Sequence, residues 1–534
     1  MKHAPLRLAA LLLALAAPLR AQCEDAELYA SDVEADDSFG VSIDADGDRI
    51  VVGAYKADAG SDNDVGAAYV YVRQGDAWVE EAILVAPGLQ SEDQFGVSVA
   101  IEGDRIAVGA PYLDGTIGFN EGRVFVWEHD GLAWQYLTAL QPADLDAENW
   151  FGLSLDLDGD RLLVGAGRDS DIKPDAGAAY VFRRDPGGWV EEAKINHPDV
   201  WEGDTFGSAV ALDGDVALIG APFHDTVDQG AAYAFERAGT SWVEIGEVVP
   251  GAPNTGANFG CAVDVDGDVA LVGARYWGLN AKGRAYVLRR SGSSWSQEAI
   301  LNPPDLISND NFGYSVALDG DHAYVSAPRK YVNTSRQGVI YTFVYDGGSW
   351  VQDGELIAFD PKDSDELGSS LAISPNWIVA GAPENKESGG DSGRAIAFAR
   401  GADLVKYGEA TPGANGWQPL LEGYGCPNLG TTSDIRIKQV VGAAPGALAL
   451  GTAPAAFPVF GGTLLVDSIF GTTSHVVGGS AGVPGAGSVL FTIPAPTEPA
   501  LVGAEVFAQA GYLDAEAPQG ISMTNGLRIR IGTP

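Results

Sequence analysis

The chain has 534 residues, of which 32 are basic and 73 acidic, so its formal net charge is −41 at pH 7. So large a negative field repels the phosphates of a nucleic acid, which argues against a nucleic-acid-binding protein. The three cysteines, Cys23, Cys261 and Cys426, exclude a four-cysteine zinc site and allow at most one disulfide within the chain. The 70 glycines and 29 prolines suit many short strands joined by turns.

The first predicted element is a secretion signal over residues 1–21. Lys2 and Arg7 lie at the start, the apolar stretch Leu8–Ala17 follows, and the small residue Ala21 ends the segment. This is the usual order of a basic region, an apolar region and a cleavage site. The apolar stretch is too short to span a membrane. We therefore expect an exported protein without a transmembrane segment, either secreted or held at the cell surface.

Seven copies of one sequence unit come next. Each contains Phe-Gly, or Leu-Gly in the last copy, and the copies are separated by 56, 56, 55, 53, 53 and 55 residues. The units are marked by Phe39, Phe95, Phe151, Phe206, Phe259, Phe312 and Leu367. Within a unit the length varies only between a Gly-Ala motif and a Trp. Constant spacing indicates paired strands, and variable spacing indicates a surface loop.

Each unit predicts four short strands. In the second copy, Val97–Ile101 and Arg105–Gly109 flank a Glu-Gly-Asp turn, and Arg123–Trp127 and Trp134–Leu140 follow. Glycine at such a turn supplies the positive φ that a tight hairpin requires. Four strands per unit, repeated seven times, predict an all-β fold with a seven-bladed β-propeller over residues 22–405. We expect the repeated Phe and Trp side chains to pack between neighbouring blades.

The two ends of the repeat region are predicted to close the ring. In the repeat, the Trp of the fourth strand lies 17 residues before the next Phe-Gly or Leu-Gly, and Gln22 lies 17 residues before Phe39. Cys23–Ala30 therefore occupies the position of a fourth strand that has no blade of its own. Blade 7 ends its third strand near Ala395–Ala399, and the Trp expected after it is missing from Asp403–Tyr407. The N-terminal strand should therefore complete blade 7 and remove an exposed sheet edge.

The units resemble the FG-GAP repeats of the propeller head of integrin α chains and of many bacterial exported proteins, over about residues 23–400. The resemblance implies a propeller that binds proteins or glycans, often with Ca²⁺ in an extended Asp-rich insertion between the first two strands. At that position the chain has Asp44, Asp46, Asp48, Asp264, Asp266 and Asp268, in turns of tight-hairpin length. Because Ca²⁺ needs six to eight oxygen ligands wrapped around it, a tight hairpin is the favoured interpretation and a calcium site is the alternative.

The residues after the propeller differ in composition and lack the repeat. A linker rich in Pro and Gly is predicted over 406–423, and apolar stretches alternating with turns predict a small β-sandwich domain over 424–534. This domain resembles a module that recurs in large exported proteins of planctomycetes and myxobacteria. Cys23 and Cys426 lie at the two ends that meet at blade 7, which makes them candidates for a disulfide.

The variable loops and the stretches just before each Phe-Gly are expected to share one face of the propeller, and most of them are acidic. We interpret these carboxylates as acceptors of hydrogen bonds from turn amides, with weak cation binding as the alternative. The variable loops of blades 5 and 6 differ because they are rich in basic and aromatic residues. The candidate ligand-binding residues are Arg275, Tyr276, Trp277, Lys282, Arg284, Arg329, Lys330, Tyr331 and Arg336. Such side chains suit an acidic or sugar ligand through charge, stacking and hydrogen bonds. The alternative interpretation is charge balance against the neighbouring acidic loops.

The sequence contains no recognisable catalytic constellation. Its histidines lack metal-ligand spacing, and its Gly-x-Ser-x-Gly string, at 478–482, is followed by Val-Pro-Gly rather than by a helix start. We therefore expect a non-enzymatic extracellular binding or adhesion protein whose partner is a protein or a glycan. A structural component of the cell envelope and a polysaccharide-acting enzyme are the alternatives.

Overall fold

The computed structural model describes residues 20–21 and 24–399 with short gaps, and then separate strands. The gaps fall at 33, 59–61, 76, 116–117, 145, 226, 249–254, 293, 333–334, 359–363 and 387–389. The predicted disulfide partners Cys23 and Cys426, the string at 478–482 and most of the predicted secretion signal lie outside the described residues.

Seven sheets follow one another along the described chain, each built on four antiparallel strands in blade order, and that of blade 6 has one further short strand. The strands of blades 1 to 3 are Ser42–Asp46, Arg49–Ala54, Ala67–Gln74, Ala77–Leu84; Ser98–Glu102, Arg105–Ala110, Arg123–His129, Trp134–Leu140; and Phe151–Asp158, Arg161–Ala166, Ala178–Asp185, Gly188–Ile195. The strands of blades 4 to 6 are Ala209–Asp213, Val216–Ala221, Ala231–Ala238, Ser241–Val248; Phe259–Asp266, Val269–Ala274, Arg284–Ser291, Ser294–Leu301; and Val316–Asp319, His322–Ala327, Val339–Tyr345, Trp350–Leu356. This is the predicted seven-bladed propeller.

Blade 7 confirms the predicted ring closure. Its own strands are Leu371–Ile373, Trp377–Ala382 and Arg394–Ala399, and Glu24–Leu28 pairs with the last of these as the fourth strand. Leu28 lies opposite Ala395 in an antiparallel register. One chain end thus supplies the strand that the other end lacks, and the sheet edge is covered.

Three short elements lie outside this plan. Arg20–Ala21 pairs in parallel with Trp350–Leu356 at the outer edge of blade 6. The variable loop of blade 6 contains a small hairpin, Tyr331–Val332 with Ser335–Arg336, and that of blade 5 contains a π-helical turn, Trp277–Ala281.

The hydrophobic core lies between the blades. Phe39 is fully buried, and its ring meets Tyr69 edge to face with centroids 5.3 Å apart. The same cluster includes Val379 of blade 7, and Trp78 of blade 1 packs against Trp377 of blade 7 with ring centroids 5.3 Å apart. Aromatic side chains therefore join neighbouring blades, as the repeat predicts.

The repeated Gly-Ala motif has a steric reason. A Cβ on Gly53 would fall well inside contact distance of the Gly96 carbonyl oxygen in the next blade. Gly96, the glycine of the second Phe-Gly pair, has φ of +95°, a conformation that side-chain-bearing residues rarely adopt. Two glycines thus let adjacent blades approach closely around the axis.

Beyond the propeller, the described strands form two sheets. One contains Leu404–Tyr407, Gly526–Arg530, Glu505–Leu513, Pro445–Val459, Gly462–Val476 and, beside Glu505–Leu513, Ile521–Met523; the other contains Leu420–Tyr424, Thr432–Val440 and Gly487–Pro494. The β-sandwich and its domain boundaries remain predictions. Within the described part of the chain, no helix is long and apolar enough to cross a membrane.

Candidate functional site

Two kinds of loop meet on one face of the propeller, here called the upper face. The variable loop follows the second strand of each blade, and the incoming loop precedes Phe-Gly of the next blade. Gly66, at the end of the first variable loop, bridges to Phe95, and Gly283 of blade 5 bridges to Phe312 in the same way. The shared face that the spacing pattern predicts is therefore present.

Acidic side chains of the incoming loops are used to shape those loops. Asp37 accepts a hydrogen bond from the Glu34 amide at 2.7 Å, and Asp310 accepts one from the Ile307 amide at 2.7 Å. Asp93 and Asp204 likewise each accept a hydrogen bond from the amide three residues before them. These carboxylates stabilise turns, in agreement with the interpretation that they are structural.

The candidate calcium aspartates lie in tight hairpins. Two residues, Gly47 and Asp48, separate the first two strands of blade 1, and Gly267 and Asp268 do so in blade 5. In blade 1, Asp44 Oδ2 accepts a hydrogen bond from the Ile101 amide and Asp46 Oδ2 from the Gly103 amide, each at 2.7 Å.

Blade 5 repeats these contacts with blade 6. Asp264 Oδ2 accepts from the Leu318 amide and Asp266 Oδ2 from the Gly320 amide, each at 2.6 Å. Burial raises the pKa of Asp44 to about 6 and that of Asp264 to about 7. These aspartates therefore link blades, and within the described residues no group of three or more acidic, His or Cys side chains has metal-site geometry.

The variable loop of blade 5 carries cations that no acid neutralises. Among the described residues, Arg275, Lys282 and Arg284 form no ion pair, and Lys282 is exposed. The Arg275 guanidinium carbon lies 5.0 Å from the ring centroid of Tyr276, which is exposed. The Arg284 guanidinium carbon lies 3.2 Å from the ring centroid of Trp277. Stacking on aromatic rings holds both arginines in place without cancelling their charge.

The blade 6 candidates differ because their charges are neutralised internally. Arg329 pairs with Glu366 at 3.2 Å, and Arg336 pairs with the same carboxylate at 3.4 Å. Lys330 is only 8% exposed and pairs with Asp305 at 2.9 Å. Tyr331 is exposed and stays available for contacts. The structure therefore places all nine predicted residues on the upper face. Of the cations among these nine, only Arg275, Lys282 and Arg284 of blade 5 lack an acidic partner within the described part of the chain.

One residue of this surface was missed in the sequence. Tyr314 is partly exposed, and its ring centroid lies 5.2 Å from the Arg275 guanidinium carbon. It directly follows Phe312-Gly313, where the other six units carry Val, Leu, Ser or Cys. That departure from the repeat was a visible signal.

A second aromatic and basic group, also missed, lies at blades 2 and 3. The rings of Tyr112 and Trp150 meet with centroids 5.1 Å apart, and the Arg168 guanidinium carbon lies 4.1 Å from the Trp150 ring. Unlike the blade 5 arginines, Arg168 has a carboxylate within reach, because Asp175 lies 4.0 Å away. Among the described residues, the two upper-face arginines of blade 5 therefore differ from Arg168 in having no carboxylate partner.

The strands and their pairing define a seven-bladed β-propeller whose variable and incoming loops share one face. Comparison with family models makes the assignment specific, because the FG-GAP repeat model matches seven segments: 23–71, 78–127, 134–182, 189–235, 242–288, 295–343 and 350–398. These segments make up more than half of the chain, and the protein belongs to the FG-GAP repeat family.

Other comparisons add little about function. No curated protein matches the chain significantly. Among solved structures, a Bacteroides uniformis protein provisionally described as a 6-phosphogluconolactonase is similar to 63% of this chain and 89% of its own, with 11% identity and a TM-score of 0.42. A likeness at this level supports no argument about activity.

Proposed function

We propose that the protein is an extracellular, non-enzymatic binding protein whose propeller recognises an anionic ligand on the upper face at blade 5. The observation that supports this proposal is the group of unneutralised cations, Arg275, Lys282 and Arg284, in a chain of net charge −41. The chain has 73 acidic residues, and most cations in the described blades pair with a carboxylate. Arg275, Lys282 and Arg284 instead lie together in and at the end of one loop without such a pair.

The physical argument concerns both charge and shape. An overall negative field repels anions, so a local cluster of unpaired cations marks the place where an anion can approach. The exposed ring of Tyr276 lies beside this cluster and offers a flat apolar surface. Charge together with an aromatic surface is typical of recognition sites that combine attraction with stacking.

The extracellular location rests on the predicted secretion signal and on the family, whose repeats are typical of extracellular proteins. The non-enzymatic assignment rests on the absence of a catalytic motif from the sequence. An envelope component that binds no free ligand and an enzyme acting on an acidic polysaccharide are the competing functions, and the experiment below distinguishes them.

The test is binding of the mature protein, residues 22–534, to an array of glycans and matrix proteins, with and without a chelator. We expect binding to anionic members that falls as salt increases and resists the chelator. The variant R275A/K282A/R284A should lose this binding. Binding abolished by the chelator would instead favour a cation-dependent adhesin.

The matched control is R183A/R237A/R289A, which removes the same charge from the third strands. Each of these arginines already pairs with an acid, for example Arg289 with Glu298 at 2.9 Å. Equal loss of binding in both triple variants would contradict the proposed site. Shortening of a bound polysaccharide would establish an enzyme, and failure to bind any array member would favour the envelope component.

A further inference from the structure

The third strand of a blade begins close to the incoming loop and to the fourth strand of the same blade. In blade 7, Arg394 occupies this position, opposite Ala382 of the second strand. Its guanidinium pairs with Asp365, two residues before Leu-Gly, at 2.7 Å, and with Glu27 of the fourth strand. The arginine is fully buried, and two acids neutralise it.

Blade 5 has the same arginine without either acid. Arg284 begins the third strand opposite Ala274, as Arg394 does opposite Ala382. The residue two before Phe259 is Ala257, at the position of Asp365. On the fourth strand, Ile300 pairs with the residue two after Arg284, just as Glu27 pairs with the residue two after Arg394. Both counter-ions are thus replaced by apolar side chains.

The tyrosine two residues further along the third strand also lacks an acidic partner. Elsewhere this third-strand hydroxyl meets a polar group: Tyr69 donates to Asp32, Tyr180 to Asp169 and Tyr341 to Asp305, at 2.9, 2.9 and 3.0 Å. Tyr286 is 1% exposed, and its hydroxyl forms no hydrogen bond with any described residue. Burial raises the pKa of Tyr286, and the nearby Arg284 opposes that rise.

Arg284 is held against an aromatic ring while part of its side chain stays exposed. One face of its guanidinium is covered by the Trp277 ring at 3.2 Å, and the side chain is partly exposed. A guanidinium cannot lose its proton, so its charge needs a partner, and its paired N–H groups match a carboxylate in a bidentate geometry. The exposed ring of Tyr276 provides a stacking surface nearby.

We infer that blade 5 contains a built carboxylate subsite, formed by Arg284 on Trp277 with Tyr286 behind it, that binds a uronic acid unit of an acidic glycan. The missing Asp and Glu explain why the charge is available, and the neighbouring aromatic ring favours a sugar over an acidic peptide, since a pyranose ring stacks on it. This inference rests on the proposed function and specifies its ligand.

The decisive variant adds the missing counter-ion back. Ile300→Glu places a carboxylate at the position of Glu27, where it should pair with Arg284 and exclude the ligand. Ile83→Glu is the matched control, because Ile83 has the same fourth-strand position in blade 1 and both isoleucines are 40% exposed. The third strand of blade 1 begins with Ala67, so no arginine is there to be neutralised.

Titration calorimetry of residues 22–534 with a galacturonic acid hexamer provides the test. We expect I300E and R284Q to weaken binding by about 10-fold or more, the loss expected for a hydrogen-bonded charge pair, and I83E to bind within about twofold of wild type. Equal weakening by I300E and I83E, or full binding by R284Q, would overturn the subsite. Dextran sulfate, neutral dextran and polyglutamate complete the probe set, and preference for polyglutamate would also contradict the inference.

A second measurement separates this inference from the proposed function. If Arg284 lacks a counter-ion, I300E should have a higher midpoint of thermal unfolding than I83E without any ligand. Equal midpoints together with tight hexamer binding by I300E would reject the subsite and leave the proposed function standing. Failure of wild type to bind any anionic probe would reject both.

Discussion

Removing Arg394 should weaken the point where the propeller ring closes. Its guanidinium is fully buried and joins Asp365 of the incoming loop to Glu27 of the N-terminal strand. Asp365 is buried too, so Arg394→Met would leave a buried carboxylate without its cation. Breaking a buried pair in this way costs about 3–5 kcal/mol, a large part of a typical stability of about 5–15 kcal/mol.

The control is Arg289→Met, which breaks an exposed pair with Glu298 at 2.9 Å and should cost at most about 1 kcal/mol. Urea unfolding of residues 22–534, followed by tryptophan fluorescence, gives the free energies of both variants. Limited proteolysis should also cut R394M faster near residue 30, because the closing strand loses its anchor. If R394M were no less stable than R289M, the view that this ion pair secures the ring would be refuted.

Three further predictions concern the first two strands of a blade and the hairpin between them. The pKa is about 6 for Asp44 and about 7 for Asp264, against 3.8 in the unfolded chain, so the folded state binds more protons between pH 4 and 7. The free energy of unfolding should therefore fall as pH rises through that range, by about 3 kcal/mol for Asp44. The variant D44N/D264N should therefore show a flatter dependence of unfolding free energy on pH, and an unchanged slope would contradict this. Gly53→Ala should destabilise by about 3 kcal/mol through its clash with the next blade, and Gly47→Ala, where only the φ of +55° is unfavourable, by about 1 kcal/mol; equal costs in chemical denaturation would disprove the steric explanation. The unfolding midpoint of the propeller should not change with a chelator, because the hairpin aspartates are held by backbone amides, and a drop of several degrees in calorimetry would revive the calcium alternative.

The sequence was sufficient to predict the blade count and the closing strand because both depend on constant spacing. Phe-Gly units at nearly equal intervals leave no other repeat number, and the offset of Cys23–Ala30 from Phe39 places a lone fourth strand before the first blade. These are local properties of the chain, and strand pairing preserves them.

The candidate site was harder to predict because charge neutralisation depends on distant residues. Arg329 and Arg284 look alike in sequence, yet Glu366 lies 37 residues after Arg329 and reaches it, whereas Arg284 has Ala257 and Ile300 where acids would be needed. Only strand register and loop position reveal which cations stay unpaired. The repeat could have helped, since aligning units shows where blade 5 departs from blade 7.

The most direct test of the binding surface is a crystal structure of residues 22–534 with a galacturonic acid trimer. The account predicts sugar density on the upper face at blade 5, with one carboxylate bidentate on Arg284 and a pyranose ring against Tyr276. Sugar density confined to another blade, to the hairpin aspartates or to the face opposite the upper face would contradict it.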